Sequence, residues 1–77
     1  MSVQALASKA RKHWPRWLPE KTAELKAEGL FESETLAAAK LAQAEIETLM
    51  KQGFKEHEAE EAALPMFILL KPEFGVE

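Results

Sequence analysis

Apolar residues recur at three- and four-residue intervals along most of this 77-residue chain, the spacing of a helix with one dry face. In the first segment Val3, Leu6, Ala7, Ala10, Trp14 and Trp17 share such a face, and Lys9, Lys12 and Arg16 fall on the other. Pro15 interrupts the pattern. Its ring clashes with the carbonyl four residues back and disfavours helical geometry at Trp14, so the first helix is expected to end near Trp14, with 15–18 a tight connection.

Pro19 suits the first turn of a new helix, where a missing amide hydrogen costs nothing, and Glu20 complements the positive end of the dipole. A short second helix over 19–28 follows. Gly29 closes it in the left-handed conformation, and Leu30 folds back on Leu25. Ser33 is the expected cap of a long third helix reaching Gln52. Leu36, Ala39, Ala42, Ile46, Leu49 and Met50 form its apolar stripe, and Lys40, Gln43, Glu47 and Lys51 lie opposite. Gly53 and Phe54, packing on Leu49, repeat the earlier ending. Two helices need such punctuation whether or not they share ancestry, so the recurrence does not argue for duplication.

A fourth helix begins near Lys55, with Glu56, Glu58, Glu60 and Glu61 in its first turns and Ala59, Ala62, Ala63 and Leu64 turning inward. Pro65 is expected to end or kink it. The apolar run at 66–70 fits either a last helical turn or an extended segment, and must be covered in the fold. The tail from Lys71 is expected to cross the surface with Phe74 pinned down.

Composition supports the same picture. Ala, Leu, Glu and Lys dominate, while Asp, Asn and Tyr are absent, which favours helices over strands and turns. The length allows one domain, residues 1–77, with one small core. The expected fold is therefore all-α: a single-domain bundle of about four helices with a short apolar segment after Pro65, a helical coiled-coil array being the alternative. No cysteine is present, which removes disulfides, thiolate metal sites and cysteine nucleophiles and suits a reducing cytoplasm. Residues 1–17 lack the apolar stretch of a signal peptide, and the run 64–70 is too short to span a bilayer. A cytoplasmic protein without membrane contact is expected.

The net charge of −3 is unevenly spread. Residues 1–26 carry six Lys or Arg against two Glu, a net of +4, and residues 27–77 carry four against eleven, a net of −7. Such halves attract, and the basic segment is expected to dock on the acidic fourth helix, within the fold or across a symmetric dimer.

Candidate chemistry is sparse. His57 lies three and four residues before Glu60 and Glu61, but a zincin needs a second histidine where Glu61 stands, and Phe54 stands where a di-iron motif needs Glu. A solvated acidic first turn explains the cluster. Neither a nucleophile-elbow serine nor a glycine-rich phosphate loop occurs, and an enzyme or a cofactor is not expected.

Two surfaces remain as candidates. Ile46, Met50, Met66 and Phe67 offer an adaptable apolar face for a partner helix, against the plainer role of core filling. Lys9, Arg11, Lys12, Arg16 and Trp17 have the composition that grips phosphates and stacks on bases, against the plainer roles of solvated face and core aromatic; Trp14 is more strongly a core residue. The expected function is a non-enzymatic interaction module binding an unidentified protein partner or itself. A nucleic-acid-binding accessory or regulatory protein is the alternative, opposed by the acidic remainder of the chain.

Overall fold

The structure, a computed structural model, describes residues 1–73; the expectation for Phe74 lies outside them. Four helices follow one another: α1 Val3–Trp17, α2 Pro19–Ala27, α3 Phe31–Lys51 and α4 Glu56–Phe67, with no strand among the described residues. The all-α bundle expected from the pattern is the fold.

Both glycine endings form as the sequence implies. Gly29 (φ +72°) and Gly53 (φ +106°) take the left-handed conformation. Leu30 then donates to the Leu25 carbonyl at 2.8 Å and Phe54 to the Leu49 carbonyl at 3.1 Å. The preceding Gly29 and Gly53 amides donate to Lys26 and Met50, so each helix satisfies carbonyls that would otherwise be orphaned.

Two boundaries, the end of α1 and the start of α3, differ from expectation, and the choice left open around Pro65 and 66–70 is decided. First, α1 continues through Pro15 to Trp17, and α4 continues through Pro65 to Phe67. Each proline stands two residues before the helix ends, so it removes a single amide donor from a last turn that closes anyway, through Leu18 to Trp14 (2.7 Å) and Ile68 to Leu64 (2.8 Å). Burial of Trp14 and Leu18, and of Ile68, outweighs that loss. Second, the run 66–70 divides: Met66 and Phe67 are helical, and 68–70 leave the helix with Ile68 fully buried. Third, α3 starts at Phe31, ahead of Ser33, because Leu30 already serves both the end of α2 and the start of α3. Ser33 sits inside the first turn and donates its hydroxyl to the Leu30 carbonyl (3.1 Å) instead of capping.

The long α3 lies between α1 and α4. Arg11, late in α1, meets Thr35, early in α3, and only four residues join α3 to α4, so both neighbours run antiparallel to α3 and parallel to each other. Two contacts tie α1 to α4 at opposite ends. The Met1 amine reaches Glu56 and Glu60 at the start of α4, and the Trp14 indole donates to the Ile68 carbonyl just past its end at 2.8 Å.

Alanine makes up most of the core: Ala7 and Ala10 from α1, Ala39 and Ala42 from α3, Ala59 and Ala63 from α4. Small side chains let the helices approach closely but bury little apolar area each. The larger contribution falls on Leu6, Trp14, Leu18, Ile46 and Ile68. The molecule is also flat, its Cα atoms spanning 40 × 30 × 14 Å with a radius of gyration of 13.0 Å. A rounder domain of this length would have a radius near 11.5 Å. On α3 the buried residues lie along the face turned toward α1 and α4, and the opposite face is exposed.

Candidate interaction surface

The basic segment divides into three environments. Lys9, Lys12 and Arg16 are exposed along the outer side of α1, three and four residues apart. Arg11 points the other way: its Nε donates to Thr35 Oγ1 at 2.8 Å and its Nη2 to the Glu32 carbonyl at 3.1 Å, which clamps α1 to α3. Trp14 is core, 3% exposed. Trp17 is half-buried under the Arg16 guanidinium, 5.3 Å from the ring centroid, with His13 beside it and within 2.9 Å of the Leu70 carbonyl. The four cations expected to act together are thus three on one face and one committed to packing.

The expected docking of this segment on α4 takes a different form. Among the described residues the ion pairs are those of the Met1 amine with Glu56 (3.0 Å) and Glu60 (2.8 Å). The amine's pKa is raised, first by its hydrogen bond to Glu60 and then by that to Glu56. Lys9, Arg11 and Lys12 take no part, because α1 presents its lysines outward and packs on α3.

The four apolar candidates also separate. Ile46 is 1% exposed and belongs to the core, and Phe67 is half-buried against it. Met50 and Met66 are exposed, but α3 and α4 are antiparallel, so these two methionines stand at opposite ends of the hairpin and share no patch.

An apolar stripe that the sequence pattern did not single out lies on the far side of α3. Thr35, Ala39, Ala42 and Ile46 are its buried line. Two residues after each come Ala37, Leu41, Ala44 and Thr48, all exposed, Leu41 at 57%. Two residues are about 200° of helical rotation, so this second line is diametrically opposite the core. Thr48 gives its hydroxyl hydrogen to the Ala44 carbonyl at 3.0 Å and can present its methyl group outward. The stripe is bordered by Lys40 and Glu47 on one side and Glu45 on the other, with Glu34 and Lys51 at its two ends.

Elsewhere the surface offers less. An open depression of about 430 Å³ is lined by Lys26, Gly29, Phe31 and Glu32. Among the described residues no group of three or more His or acidic side chains is placed to hold a metal, and no helix is long and apolar enough to cross a membrane. His57 is exposed, and Glu60, its neighbour in sequence, is engaged by the Met1 amine. The chain matches no family model, no curated protein and no solved structure.

Proposed function

We propose that this chain is a non-enzymatic interaction module that binds a protein partner or its own copy through an apolar helical face. The second stripe of α3 carries the proposal: a leucine 57% exposed among alanines, on the longest helix, directly opposite the core. Such a line packs on nothing within the isolated chain's core and suits helix-on-helix recognition. A cytoplasmic location belongs to the same proposal, since a chain without cysteine needs no oxidising compartment to fold. The test compares the intact chain with Leu41→Glu, by sedimentation for self-association and by affinity recovery of proteins from nuclease-treated lysate. The intact chain is expected to self-associate or retain a stoichiometric protein, and the variant to lose that ability. A strict monomer that retains no protein refutes the proposal.

One observation favours a second function. Lys9, Lys12 and Arg16 form an exposed row without ion pairs among the described residues, beside a half-buried tryptophan. Three phosphate contacts would give a salt dependence of binding with a slope near −3 on logarithmic axes. Fluorescence anisotropy with labelled oligonucleotides, comparing the intact chain with the triple Lys9→Glu, Lys12→Glu, Arg16→Glu variant, decides whether this row holds nucleic acid. Equal, salt-insensitive binding of the two removes it.

A further inference from the structure

We infer that the occupant of the exposed α3 stripe is the same stripe of a second copy, packed antiparallel about a two-fold axis between Leu41 and Ala44. This rests on the interaction-module proposal and names its partner. The argument is one of register and charge. Ala37, Leu41, Ala44 and Thr48 are spaced four, three and four apart, the alternation of a helical seam that interlocks with another helix. Extending the same spacing reaches Glu34 at one end and Lys51 at the other, both exposed.

Turning one copy end over end places Leu41 against Ala44 of the second copy and Ala37 against its Thr48. Glu34 then faces Lys51 of the second copy, and symmetry repeats the pair at the far end. In an antiparallel pair a two-fold axis brings equivalent flanks together, so Lys40 meets Glu47 of the second copy, again twice. Four opposite-charge pairs form and no like charges oppose. A parallel pairing of the same helices would set Glu34 against Glu34 and Lys51 against Lys51, so the charges select orientation as well as partner. The alternation of Leu41 with small residues lets each leucine enter the space above the other copy's alanine. The contact is closed by its symmetry, which yields a dimer and not a filament.

The test exchanges the charges. One chain carries Glu34→Lys and Glu47→Lys, making all four positions basic; another carries Lys40→Glu and Lys51→Glu, making them acidic. Sedimentation equilibrium is expected to show a dimer for the native chain, self-association weakened by roughly tenfold or more in each variant, and a one-to-one complex when the two are mixed. Recovery on mixing also shows that both variants are folded. Because the chain has no cysteine, orientation follows from mixing a Glu34→Cys chain with a Lys51→Cys chain: a disulfide is expected in the mixture and not in either alone. A dimer that both charge variants retain overturns the inference while leaving the interaction-module proposal intact. So does a disulfide within the Glu34→Cys chain alone, which signals parallel pairing. A native chain that stays monomeric also overturns the inference; the broader proposal falls with it only if no other protein binds in a Leu41-dependent way.

Discussion

Replacing Trp14 with phenylalanine keeps a ring in the core but removes the buried side-chain hydrogen bond that crosses from α1 to the end of α4. The indole Nε1 donates to the Ile68 carbonyl at 2.8 Å, with Trp14 3% and Ile68 0% exposed. Stripping a buried carbonyl of its donor costs about 1–3 kcal/mol, and the void left by the smaller ring adds about 1 kcal/mol. A total of about 2–4 kcal/mol is large for a domain whose whole stability should lie near 4–12 kcal/mol. Trp17 supplies the control, because it is only half-buried and its side chain makes no such bond among the described residues; Trp17→Phe should cost less than about 1 kcal/mol. Urea unfolding followed by far-ultraviolet circular dichroism, at one protein concentration so that self-association enters equally for each variant, measures both. If Trp14→Phe moves the free energy by less than about 0.5 kcal/mol, or no more than Trp17→Phe, the indole bond does not anchor the end of α4 and the argument from burial is wrong.

Two threonines should respond oppositely to valine. Thr22 Oγ1 is buried without a hydrogen-bond partner among the described residues, so Thr22→Val should leave stability unchanged or raise it by up to about 1 kcal/mol, whereas Thr35→Val deprives the Arg11 Nε of its acceptor and should cost about 1–2 kcal/mol in the same unfolding assay. Glu73 accepts from the Glu20 and Lys21 amides (3.0 and 2.9 Å) at the start of α2, where Leu18 can offer no cap; Glu73→Ala should speed hydrogen exchange at those two amides and cost about 1 kcal/mol or less. The Met1 amine, its pKa raised above 8.0 by Glu60 and Glu56, contributes stability that is fully present below about pH 8 and lost as pH climbs through the raised value. Acetylating that amine should therefore lower the melting temperature slightly near neutrality and leave it unaltered well above the raised pKa; a loss that is the same at both pH values would contradict the ion pairs.

The helix endings at Gly29 and Gly53 were legible because only a residue without a β-carbon takes their backbone conformation cheaply, and the signal is local. The proline boundaries were not. A local rule weighs Pro15 and Pro65 by the hydrogen bond each removes, and it cannot weigh what Trp14, Leu18 and Ile68 gain by continuing into the core. Ser33 does not cap for a related reason: a glycine ending that delivers Leu30 directly into α3 leaves no room for a capping residue three positions later. Composition groups Arg11 with its cationic neighbours, although on a helix it stands about 200° from Lys9 and about 100° from Lys12. Its bonds to Thr35 and the Glu32 carbonyl depend on where α3 lies, which composition does not encode.

The stripe on the far side of α3 was obscured for a more general reason. Periodicity is ordinarily used to find one apolar face, and in α3 the apolar residues fall on two. Ala37, Leu41 and Ala44 sit among Leu36, Ala38, Ala39 and Ala42, so a search for one stripe settles on Leu36, Ala39, Ala42 and Ile46 and passes over Leu41 without assigning it a face. Subtracting the buried line leaves a second line with the same four-three-four spacing, displaced by two residues. A helix that served only its own bundle would carry polar residues there, since an exposed leucine and three small neighbours gain nothing from water. Under the proposed pairing, the exposed line of α3 takes toward a second copy the role that its buried line takes toward α1 and α4.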